Sequence, residues 1–207
     1  MPRLSSEQQQ RRRLSHLDAA ERCFIRDGFH RTSMQAIAKE AQSSAGGLYL
    51  YFVSKEDLIA GLIDRDRHAM AQDFAAVARA LDPLLALRAL GQRLFVEDPR
   101  ERWQMTVQIW SEAVRDSTVR DLCRTIQEDC RRYMRQLLEL IVARNGAAGV
   151  DVDALVDLLM LVSDGIFKQR AIDEAFDAAR AFRALMATLD AGLRGDIAFR
   201  PSEETTI

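Results

Sequence analysis

Apolar residues recur at three- and four-residue intervals from Leu14 to Leu193, and no segment sustains the apolar–polar alternation of a half-buried strand. That periodicity leaves an all-α fold. Helices are expected over about 8–27, 33–41, 44–51, 55–81, 83–96, 99–115, 118–144, 152–172 and 174–194. Start signals agree with the spacing. Asp82-Pro83 and Asp98-Pro99 are N-cap and first-turn pairs, and Glu101 follows Asp98 at capping-box distance. Ser54 with Asp57 opens the long periodic run in the same way. In the first helix Leu14, Leu17, Phe24 and Ile25 are expected to face inward, and Gly28 to end it.

The stretch SSAGGLYLYF, residues 43–52, breaks the pattern of good helix formers with two adjacent glycines. Each costs about 1 kcal/mol relative to alanine inside a helix. Its neighbours supply a reason. Thr32 can cap a short helix with Gln35 as capping-box partner, and Ile37, Ala38 and Ala41 form that helix's small inward face. Gln42-Ser43 is the bend, and Ser43 or Ser44 caps the next helix. Two short helices packed on a third make a helix-turn-helix. At 100° per residue, Leu48 and Phe52 share the inward side while Gly46, Gly47 and Leu50 fall outward, with Tyr49 and Tyr51 on the flanks. A nearly bare face bracketed by phenols suits close approach to a groove floor with hydroxyls on the phosphates.

Charge points the same way. The chain carries a net charge of −2, yet residues 1–55 hold nine Lys/Arg against five acids, so a basic head precedes an acidic body. Arg11, Arg12 and Arg13 read equally as a groove-reaching arm or as a solvated helix start. No run reaches the roughly 18 apolar residues of a membrane span. The longest, around 155–162, is broken by Asp157, and the N-terminus is polar, so the cytoplasm is the expected compartment. Cys23, Cys123 and Cys130 are an odd number without metal-type spacing, and His16, His30 and His68 are scattered. Buried thiols are expected. A redox pair of Cys123 and Cys130 would have to bridge about 10 Å along one helix. No nucleophile–base pair, phosphate loop or metal cluster is present, so neither an enzyme, a cofactor nor a metal site is expected.

TSMQAIAKEAQSSAGGLYLYFVSKEDLI, with RCFIRDGF before it, resembles the DNA-binding domain of the TetR (tetracycline-repressor-like) family over roughly residues 15–62. The Phe24…Gly28-Phe29 element, Thr32, Ile37-Ala38, Ala41, Ser44, Gly46, Leu48-Tyr49, Tyr51-Phe52 and Ser54-Lys55-Glu56 sit at that family's spacing. One departure is Gln42-Ser43, where the family usually has glycine and an apolar residue, which makes the turn costlier. The resemblance implies an N-terminal three-helix domain, residues 1–55, followed by a larger helical ligand-binding and dimerisation domain, residues 56–200. It implies Thr32 and Gln35 near the phosphate backbone and Ser44, Ala45, Gly46 and Gly47 in the major groove. Tyr49, Tyr51 and Lys55 then hold phosphates. Leu50 either touches a thymine methyl or is buried against the protein.

The expected function is a homodimeric regulator, more a repressor than an activator, on a palindromic double-stranded DNA operator, released by a small-molecule effector of unidentified structure. Helices 152–172 and 174–194 carry the dimer contact in this reading. The apolar residues of 152–167 cover most of a helix circumference, which requires burial either wholly within the chain or partly against a partner. Trp103, Met105, Trp110, Met134, Met160 and Phe167 are candidate walls of the effector pocket, with ordinary core as the competing role. Glu112 and Asp164 are candidates for meeting a cationic ligand, against solvated or capping roles. The stretch 109–113 with RDSTVRDL is similar to a subset of the family that includes choline-responsive regulators.

Overall fold

Ser5 starts the first helix: its hydroxyl accepts from Gln8 N while the Gln8 side chain accepts from Ser5 N. The computed structural model describes residues 5–146 and 149–197. The tail after residue 197 and the centre of the 145–149 break therefore lie outside the described residues. The described helices are α1 (Ser6–Asp27), α2 (Met34–Glu40), α3 (Ala45–Tyr49), α4 (Lys55–Arg79), α5 (Pro83–Gln92), α6 (Arg100–Ala113), α7 (Ser117–Asn145), α8 (Val152–Ile172) and α9 (Ala178–Leu193). The chain is all-α. Among the described residues no helix is long and apolar enough to cross a membrane.

The chain forms two compact units. One holds residues up to Arg67 together with Gln104–Thr125, a wider unit than residues 1–55. The other holds His68–Trp103 and the residues from Ile126 onward. In the first, Leu17 and Phe24 of α1, Ile37 of α2, Leu48 of α3, Phe52, and Leu58 and Ile59 of α4 close one core, each at most 1% exposed. Leu14 is not part of it. At 36% exposure it lies on the solvent side, three residues round the helix from Leu17. Burying seven large side chains at about 1.5–3 kcal/mol each is what holds such short helices, since α2 and α3 are below the length at which isolated helices persist.

In the second unit α4, α5, α7, α8 and α9 surround a core that includes Phe74, Leu138, Leu155, Val156, Phe182 and Leu189. Asp82 caps α5 through Leu85 N with Pro83 in its first turn, as its sequence implies. The expected continuous helix over 83–96 instead ends at Gln92 and passes into a π-helical segment, Arg93–Glu97. Phe95 within it stacks on Phe167 (4.9 Å between ring centroids) and Phe182 (5.5 Å). Arg170 donates to the carbonyls of Leu94 and Asp98 at its end. The last helix starts at Ala178 rather than 174, because Ala175 N turns onto Asp173 and Asp177 caps through Arg180 N. Leu161 (71%) and Ile172 (63%) on α8 are exposed, so the chain by itself does not bury this helix on all sides.

Candidate nucleic-acid interface

The turn between α2 and α3 sets the geometry. Ser43 N donates to Ala38 O (2.9 Å) and Gln42 N to Lys39 O (3.0 Å), the paired bonds of a Schellman motif. The motif needs a left-handed residue at its centre, and Gln42 supplies it with φ +52°. A glycine there would avoid a cost of about 1 kcal/mol that this chain bears.

Ser44 then caps α3, its hydroxyl accepting from Gly47 N at 3.0 Å. The two glycines differ in purpose. A Cβ on Gly47 would lie 2.6 Å from Ser43 Oγ and 3.2 Å from Ser44 Oγ, so this glycine makes room for the cap. Beyond its chain neighbours and the backbone of its own helix, a Cβ on Gly46 would meet no atom within 4 Å, so no packing contact requires that position to be bare. Leu48 is fully buried. On the opposite side Gly46 is exposed and Leu50 is 84% exposed; Tyr49 on the flank is 45% exposed, and Ala45 is exposed at the helix start. Burial of Leu50 against the protein is thereby excluded. Tyr51 is half-buried, its ring tilted against that of His16 at 5.3 Å between centroids. Burial, and then the Arg12 guanidinium, lower the His16 pKa.

Two expected site residues take different positions. Thr32 does not cap α2. It is buried (3%), and its hydroxyl donates to Gly28 O (2.8 Å) and Cys23 O (3.2 Å), tying the end of α1 to the loop. Ser33 is the cap instead, accepting from Ala36 N at 3.1 Å, while Gln35 is exposed in the first turn. The sequence alone makes Thr32 the cap of a helix beginning at 33; with Thr32 buried and its hydroxyl on the carbonyls of Gly28 and Cys23, the cap falls to the next residue. Lys55 also turns inward. Its ammonium donates to Phe29 O (2.7 Å) and His30 O (3.3 Å) and sits 4.4 Å from the Phe29 ring centroid. A cation aimed at carbonyls closing the α1–α2 loop is first a strut of the head.

Much of the basic surplus is committed to acids of the same unit. Arg22 and Arg26 pair with Glu40 and hold its carboxyl below the usual glutamate range; Arg26 does the same for Asp27. Arg65 pairs with Asp18 and Glu21. Arg11, Arg12 and Arg13 are within α1, with Arg11 paired to Glu7 and Arg13 over the Phe52 ring at 5.3 Å, which is the helix-start arrangement and not an arm. Sequence reasoning missed the α6 side of the unit. Gln108 Oε1 accepts from Phe29 N (3.0 Å), and buried Glu112 pairs with His30 (2.8 Å). Their separation of about 80 residues left no local signal.

The expected pocket residues divide. Trp103 and Phe167 stack at 3.8 Å between centroids, and Met134 and Met160 pack against the same core in the second unit; Met105 and Trp110 belong to the first. Asp164 on α8 is half-buried, and burial raises its carboxyl pKa. Cys123 and Cys130 are on α7, and burial pushes the Cys130 thiol up to about 11, away from the thiolate that redox chemistry needs.

Comparison with known proteins gives the geometry its family. Residues 17–62 match "Bacterial regulatory proteins, tetR family", and residues 83–194 match "BetI-type transcriptional repressor, C-terminal". The transcriptional regulator UidR of Escherichia coli is 30% identical over 183 residues, 79% of this chain and 82% of its own. The regulator TtgR of Pseudomonas putida is 25% identical over 197 residues, 94% of this chain and 84% of its own. A transcriptional regulator from Saccharomonospora viridis, solved in complex with choline, shares the fold at TM-score 0.74 and 20% identity, over 87% of this chain and 96% of its own. With a capped, glycine-faced α3 on a three-helix head and both regions of the chain matched, the protein belongs to the TetR family of DNA-binding transcriptional regulators.

Proposed function

We propose that the protein is a homodimeric repressor that leaves a palindromic operator when a small molecule binds its C-terminal region. The observation that carries the DNA half is α3: a short helix capped by Ser44, bare at Gly46, and flanked by an exposed Tyr49. Ser44, Ala45, Gly46 and Gly47 enter the major groove in this reading, Gln35, Tyr49 and Tyr51 approach phosphates, and Thr32 and Lys55 shape the head behind them. Two such helices related by a dyad meet half-sites about 34 Å apart, which is why the operator is palindromic.

Support for the dimer comes from α8, where Leu161 and Ile172 stay exposed on a helix whose opposite side is buried. Such a pair of apolar side chains is satisfied by the same helix of a second copy. The effector reading is supported by the repressor-type C-terminal match and by the choline-bound relative. Trp103, Phe167, Met134 and Met160 form the proposed wall in the second unit; Met105 and Trp110, in the first unit, are not part of that wall. The effector must favour the DNA-incompetent state; tenfold release requires about 1.4 kcal/mol of differential binding.

The test is fluorescence anisotropy with a duplex from immediately upstream of the coding region, beside unrelated DNA, at two salt concentrations. Selective binding, reversed by a candidate such as choline, is the expected result. Binding that is equal for both duplexes overturns the proposal that this region holds the operator. Sedimentation of Leu161→Asp tests the dimer: a shift to monomer is expected, and an unchanged mass removes α8 from the interface.

A further inference from the structure

The outward face of α3 carries no hydrogen-bonding side chain. Leu48 is the fully buried reference, and at 100° per residue Gly46 and Leu50 each stand about 160° from it, on the far side. On that side Gly46 contributes nothing and Leu50 an isobutyl group that is 84% exposed. The two hydroxyls at the helix start are turned to the backbone: Ser44 Oγ accepts from Gly47 N, and Ser43 Oγ donates to Ser44 O. Helical side chains lean toward the N-terminus, so Leu50, which keeps helical backbone angles (φ −68°, ψ −22°), leans back toward the level of Gly46. Yet beyond its chain neighbours and the backbone of its own helix, no atom lies within 4 Å of where a Gly46 Cβ would be. Between the bare turn at Gly46 and the Leu50 side chain there is room for a group the size of one methyl.

The major groove offers one apolar feature, the C5-methyl of thymine. Every other base edge presents donors or acceptors, and covering these with an apolar face strips their water without replacing it. Resting on the reading of α3 as the groove helix, we propose that Leu50 is a specificity-determining residue that reads a thymine C5-methyl in each half-site, seated over Gly46. Operator choice at that base pair is then a matter of shape and apolar burial rather than hydrogen bonding.

Deoxyuridine lacks only the methyl and keeps thymine's hydrogen-bonding edge. Each thymine of a selectively bound operator is replaced singly and in symmetric pairs by deoxyuridine, and affinity is measured by anisotropy for the full-length protein, Leu50→Ala and Gly46→Ala. Burial of one methyl predicts about a fourfold loss per half-site at one position, and about 15-fold for the symmetric pair. The loss at that position disappears in Leu50→Ala. Gly46→Ala, which fills the space, weakens binding to the thymine operator more than to the deoxyuridine operator. Leu50 and Gly46 are exposed, so both variants keep the wild-type melting temperature or exceed it. Selective binding that tolerates deoxyuridine at every position overturns the proposal while leaving the regulator reading in place, as does a loss of equal size in Leu50→Ala. Failure to distinguish the operator from unrelated DNA, seen before any base is altered, overturns both.

Discussion

Lys55→Met separates two roles for one ammonium. Methionine keeps most of the stem and removes the charge. Lost with it are the bonds to Phe29 O at 2.7 Å and His30 O at 3.3 Å and the position over the Phe29 ring. A charge-assisted hydrogen bond contributes about 1.5–3 kcal/mol when buried. Here the site is half-buried, so water partly replaces the donor, and the longer bond is weaker. The ring contact adds about 0.5–1 kcal/mol. The sum worked from these contacts is about 2 kcal/mol, which for a chain of this size lowers Tm by about 4–8 °C. The companion assay is the slope of log affinity against log salt, which falls by about 0.9 for each phosphate contact removed. An internal strut predicts the lower Tm with a slope nearly unchanged. A slope reduced by about 2 in the dimer, with Tm at the wild-type value, would refute this reasoning and return Lys55 to the phosphate backbone.

Gln42→Gly relieves the left-handed backbone at φ +52° and raises stability by about 1 kcal/mol, seen as a Tm increase of about 2–4 °C; a decrease would mean that the Gln42 side chain is needed in the turn. Gly91→Ala does the opposite. Its Cβ would lie 2.5 Å from Phe182 Cε2 in a buried aromatic stack, so overpacking outweighs the gain in helix propensity by about 1–2 kcal/mol, and calorimetry showing an unchanged Tm contradicts it. Because Arg22 and Arg26 hold Glu40 below its ordinary pKa, their contribution is complete above the unfolded glutamate range and is lost as pH falls through the lower folded value. Melting temperatures between pH 5 and 3 therefore fall less steeply for Glu40→Gln than for the unaltered protein, and coincident curves count against the pairing.

Much of the fold was legible because helix periodicity and capping are local. The spacing of Leu17, Phe24, Ile37, Leu48 and Phe52 specifies three packed helices before any contact is known, and Ser44, Gly28 and Asp82-Pro83 mark ends within a few residues. The cost of Gln42 in the turn was readable from the absence of glycine. The exposure of Leu50 was not, because two outward positions on a short helix are distinguished only by what lies beside them. The π-helical segment was also hidden: Arg93–Glu97 reads as a continuation of α5, and its altered winding accompanies contacts of Phe95 with residues more than 70 positions away.

The sequence by itself determined an all-helical chain with a helix-turn-helix head and the location of the short capped helix proposed to face the groove, since these follow from residues within one or two turns of each other. Tertiary structure decided which way the polar groups around that helix point. Thr32 closes on Gly28 and Cys23, Lys55 reaches loop carbonyls 26 and 25 residues before it, and Glu112 meets His30, leaving Gly46 and Leu50 as the open face. A flexible side chain goes to the partner that best replaces its water, and that partner is fixed by packing between segments the local pattern does not relate.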